Sequence, residues 1–145
     1  MATMARHYWQ VRGMLAGVMV IWSLPAQSLE TLQDPYQEHY NACVNAAGGI
    51  NNAVVMRCGS AASDLAQSDM TQMVKMIEQQ IAQSSPEKAR TFSLGQAAWV
   101  KYRDNHCQLM TDYVGSPMEA YCPMSLNGIR VQELKVLAQS MGLLK

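Results

Sequence analysis

Clustered basic residues, long apolar runs and closely spaced metal ligands are all missing from this 145-residue sequence. Lys and Arg number 11, Asp and Glu number 11, and charged residues make up only 15% of the chain. That balance carries no electrostatic footprint of a nucleic-acid-binding protein. No apolar run reaches the about 20 residues that span a bilayer. Nor does an alternating strand pattern, an internal repeat or a low-complexity tract stand out. The length suits one domain and hardly two.

Catalytic and metal-binding patterns are equally scarce. The four cysteines, Cys43, Cys58, Cys107 and Cys122, are all far apart, whereas structural zinc sites pair their ligands a few residues apart. His106 beside Cys107 does not mend this, because adjacent residues of a helix do not face each other. No serine sits in a nucleophile-elbow context, and past residue 28 the only histidines are His39 and His106. Asp104 and Asp112 stand eight residues apart without a second carboxylate partner. An enzyme needs a base beside a nucleophile or a metal. The sequence therefore predicts no enzyme, no cofactor and no metal. Twelve methionines invite a copper(I) reading. Four of them precede residue 28, however, and Met70, Met73 and Met76 are ordinary helix-packing material.

What the sequence does contain begins with its first 28 residues. Arg6 and Arg12 come without an acid, Met14 to Leu24 form an apolar run of eleven, and Pro25 precedes the small-residue site Ala26-Gln27-Ser28. This is the pattern of a secretory signal peptide over residues 1–28. With no cysteine after it, no lipid anchor is expected, and cleavage would leave no stable membrane anchor. The remaining 29–145 would carry 9 basic and 11 acidic residues, a net charge of −2. The expected location is the periplasm, or outside the cell.

Punctuation then divides residues 29–145 into four helical stretches. Asp34-Pro35 pairs a capping side chain with a proline at the first helical position. Tyr36, Tyr40, Cys43 and Ala47 share one face before Gly48-Gly49 ends the run. Asn51 or Asn52 caps a second helix predicted to pass Gly59 and reach about Gln83, with Met70, Val74, Ile77 and Ile81 as its apolar stripe. Ser85-Pro86-Glu87 opens a third, broken by Gly115-Ser116-Pro117. A fourth is expected after Pro123, placing Leu126, Arg130, Leu134, Leu137 and Met141 on one face. The fold class predicted is all-α: a small antiparallel bundle of about four helices.

In an antiparallel helix pair, residues equidistant from the turn lie opposite each other. Cys43 and Cys58 are centred between Ile50 and Asn51, and Cys107 and Cys122 between Val114 and Gly115. Each pair has fourteen intervening residues and straddles a turn. An even cysteine count in an exported chain reads as disulfides. The expected bridges are Cys43 to Cys58 and Cys107 to Cys122.

The third helix holds an oddity. Phe92, Gln96, Trp99, Arg103, Cys107 and Met110 form one narrow stripe, with an arginine in the middle of an apolar seam. Arg130 stands similarly on the fourth helix. A guanidinium can grip a ligand carboxylate bidentately. Against that, neighbours such as Trp99, Cys107 and Leu134 read as core, so each arginine is expected to bond a helix-end carbonyl or a carboxylate such as Asp104 or Glu133. Trp99 is expected to fill the core beside a disulfide, with Tyr102 at its border, although aromatics also anchor binding hot spots.

Residues 96–107, "QAAWVKYRDNHC", closely resemble the Q-x-x-W-x-x-Y-R-x-x-x-C signature of the LprI-like lysozyme inhibitor family. Gln96, Trp99, Tyr102, Arg103 and Cys107 carry the match. After Cys122, Leu126 and Arg130 stand at the family's positions, while Asn127 stands where Thr is usual. Cys43 and Cys58 match the first cysteine pair, whereas Met70, Thr71 and Val74 replace the Leu-Asn pair and Tyr of the family. The resemblance implies an LprI-like helical domain over 29–145, in a small exported bacterial protein whose signature residues are structural. It also implies a partner, a lysozyme kept from the cell wall, and names no inhibitory surface. The alternative is a structural or accessory envelope module that binds another exported protein or a wall component without inhibiting anything.

Overall fold

The structure, a computed structural model, describes residues 34–145. The expected signal peptide over 1–28 lies outside the described residues. Four helices follow in order: α1 Pro35–Ala46, α2 Asn52–Ser84, α3 Pro86–Val114 and α4 Met118–Ser140. Each of the first three starts where a capping side chain satisfies backbone donors that a helix cannot satisfy itself. Asp34 Oδ1 accepts from the amides of Tyr36 at 3.0 Å and Gln37 at 3.3 Å. Asn51 Oδ1 accepts from the Val54 amide at 3.0 Å, and Ser85 Oγ from the Lys88 amide at 3.3 Å. Ser85 is the entire α2–α3 connection, closing one helix with its backbone and opening the next with its side chain.

The sequence reading of α4 needs two corrections. It begins at Met118, not after Pro123, so Pro123 lies inside the helix. Proline in a helix interior removes one backbone bond and crowds the carbonyl four residues back. Here the neighbouring Cys122 is bonded to Cys107 on α3, and Ala120 packs against Gly59 of α2. Tertiary ties thus hold a turn that local preference would break. The buried face is also rotated from the expected one. Ala120, Met124, Asn127, Gly128, Val131, Leu134 and Ala138 point inward, while Leu126, Arg130 and Met141 are half-buried and Leu137 is exposed. Close helix approach selected small side chains there. A Cβ on Gly59 would meet the Ala120 backbone at 3.2 Å, and one on Gly128 would meet Asp34 Oδ2 at 2.9 Å.

Partner residues fix the topology. Glu78 with Ser93 and Gln67 with Arg103 bracket Ser85, as an antiparallel hairpin requires. Gly59 against Ala120 and Ser63 against Asn127 make α2 and α4 parallel. These two helices form the centre, with α1 and α3 on separate flanks that do not meet. Both expected disulfides are present, Cys43–Cys58 and Cys107–Cys122, with Cα atoms 5.6 and 5.5 Å apart.

The core has two clusters. One gathers Tyr36, Ala66, Met70, Ile77, Val131, Leu134 and Ala138, with Val74, Ile81, Phe92 and Trp99 packed against it. The other joins Tyr40, Val54, Cys58, Ala62 and Met124 around the first disulfide. Each fully buried large side chain, such as Met70, Ile77, Met124 or Leu134, contributes about 1.5–3 kcal/mol through apolar burial. No helix among the described residues is long and apolar enough to cross a membrane.

Candidate functional site

The α3 stripe delivers its aromatic and its arginine to the place where α2, α3 and α4 converge. The Arg103 and Arg130 guanidinium carbons each lie 5.6 Å from the centre of the Trp99 ring. Both are within cation–π range of the one indole. Arg103 comes from α3, one turn beyond Trp99, and Arg130 comes from α4.

Each arginine is held by further bonds. Arg103 Nη1 donates to Gln67 Oε1 on α2 at 2.7 Å and to Asn127 Oδ1 on α4 at 2.8 Å. Its Nε and Nη2 donate to Asp104 Oδ1 at 2.8 and 2.7 Å. Every nitrogen of this guanidinium is engaged, and its side chain is 13% exposed. Arg130 donates from Nε to Gln96 Oε1 at 3.0 Å and from Nη1 to Glu133 Oε2 at 2.7 Å. Asp104 and Glu133 are the carboxylates the sequence pointed to. The other acceptors are side-chain amides on facing helices, in place of the helix-end carbonyls that were also considered.

Asn127 is the hub of this layer. It is 2% exposed, accepts from Arg103, and donates from Nδ2 to Ser63 Oγ at 3.2 Å. A buried amide must be satisfied on both sides or it costs stability, and here it is. In this chain Asn therefore does at residue 127 what a smaller hydroxyl residue could do only in part.

The signature residues separate by position. Gln96, Trp99, Arg103 and Arg130 join in one network, and half-buried Leu126 lies one residue before Asn127. Trp99 is half-buried against the Met70–Leu134 cluster. Tyr102 instead turns outward, 55% exposed, and stacks on His106 with ring centres 5.6 Å apart. Sequence reasoning missed Gln67 and Ser63 as partners. The mirror rule that paired the cysteines contains the first of these, since Gln67 and Arg103 are equidistant from Ser85.

A second polar contact ties α1 to α2. Tyr36 Oη donates to Asp69 Oδ2 at 2.7 Å. Burial first, and then the Asp69 carboxylate, push the Tyr36 hydroxyl far above its ordinary pKa. Tyr40 is raised too, again chiefly by burial, and stands edge-on to Tyr121.

A surface hollow of about 350 Å³ is lined by Asp69, Gln72, Met73, Met76 and Leu144. Another of about 200 Å³ lies over Asp104, Cys107, Gln108, Thr111, Glu119 and Pro123. Neither sets a base beside a free nucleophile. Among the described residues no group of three His, Cys, Asp or Glu could hold a metal ion.

The family model described as lysozyme inhibitor LprI matches residues 43–134. That span runs from the first disulfide cysteine to Leu134 of the core and takes in the whole Arg–Trp–Arg layer. No curated protein and no solved structure gives a match. With most of its described helices inside the matched span, the chain belongs to the LprI lysozyme inhibitor family.

Proposed function

We propose that the protein is exported by its N-terminal signal peptide and acts in the periplasm, or outside the cell, as a binding protein that inhibits a lysozyme. The observation that carries this reading is the family match over residues 43–134. Two disulfides support the location, because such bonds form and persist in oxidising compartments. They also support the mode of action: a braced scaffold presents its surface with little ordering cost on binding. The signature arginines are spent on internal bonds, so the contact with lysozyme is made by other residues.

A lysis assay tests this. Purified, oxidised protein spanning residues 29–145 is added to bacterial wall suspensions with each of several lysozymes. Saturable slowing of the loss of turbidity by at least one enzyme is the expected result. If folded protein slows none of them, the inhibitor reading falls and the accessory envelope module takes its place. N-terminal sequencing of the exported protein checks the signal peptide, which predicts a start near residue 29.

A further inference from the structure

The Gln67–Arg103–Asn127 layer separates two ends of unlike charge. Because the chain alternates direction, the α1–α2 turn, the α3–α4 turn and both disulfides lie beyond this layer at the same end. Among the described residues, Glu38, Asp64, Asp112 and Glu119 lie there with one fixed cation, Arg57, while Asp104 is paired with Arg103 of the layer. Between residues 104 and 129 there is no Lys or Arg at all. Lys75, Lys88, Arg90, Lys101, Lys135 and Lys145 all lie towards the other end.

An exposed apolar ridge runs along α3 from the layer to the acidic end. Tyr102, Leu109 and Tyr113 are separated by seven and then four residues, so they follow one line along the outer face of α3. All three are exposed, Tyr113 at 84%. Val114 and, in the α1–α2 turn, Ile50 continue the exposed apolar surface at that end. Asp112, next to Tyr113, is exposed; Glu119, also exposed, lines the hollow over Asp104, Gln108 and Thr111 at the same end of the bundle. Exposed aromatic anchors at an end of one charge sign suit the docking of an oppositely charged protein.

We infer that this ridge, Tyr102, Leu109 and Tyr113 with Asp112 at its edge, is the surface that docks a cationic lysozyme, drawn in by the carboxylates of the acidic end, Glu119 among them. The inference rests on the inhibitor reading above and adds the surface and the charge of the partner. The carboxylates steer the basic enzyme towards this end, and the aromatics fix the complex once they are covered. Steering of this kind weakens as salt screens the charges.

The test measures direct binding of oxidised protein (residues 29–145) to a cationic animal lysozyme, and to the same lysozyme with its lysines acetylated. Three double variants are compared: Leu109→Ser with Tyr113→Ser, Asp112→Lys with Glu119→Lys, and Lys88→Glu with Arg90→Glu at the opposite end. All six positions are exposed, and thermal melting verifies that each variant is folded. Affinity about tenfold or more weaker for the first two, and within about threefold for the third, is expected for a surface with central anchors and a charged rim. Acetylated lysozyme should also bind about tenfold more weakly or worse, since the complementary charge is gone. If lysozyme binds the unaltered protein but the first two variants bind equally well, or only the third is weakened, this surface is refuted while the inhibitor reading stands. If the unaltered protein does not bind this lysozyme, the proposed surface is overturned, while the inhibitor reading is decided by the lysis assay across several lysozymes.

Discussion

Replacing Arg103 by alanine is the sharpest probe of how this bundle is held together. The change removes two bonds from one guanidinium nitrogen to amide oxygens on two other helices, at 2.7 and 2.8 Å. Asn127 Oδ1 would be left in a 2% exposed site without that donor, which costs about 1–3 kcal/mol. Gln67 is only half-buried and can turn to water, so its loss is smaller, about 0.5–1 kcal/mol. The stacked guanidinium over Trp99 adds about 0.5–1 kcal/mol. The Asp104 contact adds little, since that carboxylate is 59% exposed. Together these place the destabilisation at about 2–5 kcal/mol, a fall in melting temperature on the order of 10 °C for a domain of this size. Arg103→Lys keeps the charge and part of the stem but not the fork that reaches both amides, so it should recover only part of the loss. Calorimetry or a circular-dichroism melt reads both. An Arg103→Ala protein that melts within about 2 °C of the unaltered one would refute the argument and mark Arg103 as a ligand-gripping group instead.

Other consequences of the packing are open to measurement. A non-reduced proteolytic digest should yield Cys43 linked to Cys58 and Cys107 linked to Cys122; any cross-pairing between the two would contradict the hairpin geometry. Each bridge closes a loop of the same size, worth about 3 kcal/mol through the unfolded chain, so a reduced protein that melts like the oxidised one would show that the bridges stabilise nothing. Gly128→Ala places a Cβ 2.9 Å from the Asp34 oxygen that helps start α1, and should cost about 1–2 kcal/mol by disturbing that cap; an unchanged melt would mean that α1 shifts freely. Tyr36 is held neutral by burial and by its bond to Asp69. Its hydroxyl titrates at about 10 in the unfolded chain and higher in the folded one, so its contribution is complete below pH about 10 and is lost as pH rises beyond that. Ultraviolet titration should show Tyr36 ionising only with alkaline unfolding, and Tyr36→Phe should flatten the alkaline fall in stability; early ionisation of all tyrosines would contradict the burial argument.

Local chemistry made some elements readable from the residues and hid others. The starts of α1, α2 and α3 are written in Asp34, Asn51 and Ser85, whose side chains act on amides two or three positions away. The cysteine pairing follows from symmetry about two turns. The start of α4 is not local at all. Met118 to Cys122 form a turn ahead of Pro123 because the second disulfide and Gly59 hold it there. Its buried face was misjudged for a related reason. Large apolar residues such as Leu137 attract attention in a one-dimensional stripe, yet a tightly packed central pair buries small ones, here Ala120, Gly128 and Ala138. Asn127 could be noticed as a departure from the family, but its partner Ser63 is 64 residues away, beyond the reach of any periodicity.

The same contrast separates the signature from the function. Gln96, Trp99, Arg103 and Arg130 lock together because each supplies an acceptor, a ring face or a donor that another requires. A partly buried network of this kind, closed over the buried Asn127, tolerates few changes, since an unmatched buried member costs more than the bond it once made. Recognition of the family therefore rests on residues whose work is internal. A binding surface obeys the opposite rule: its residues must be exposed, and their partners belong to another molecule. Tyr102 illustrates the boundary, standing within the signature motif but facing outward and stacked on His106. The α3 helix thus has two faces with separate duties. One, carrying Trp99 and Arg103, fixes the bundle; the other, carrying Tyr102, Leu109 and Tyr113, is exposed to solvent.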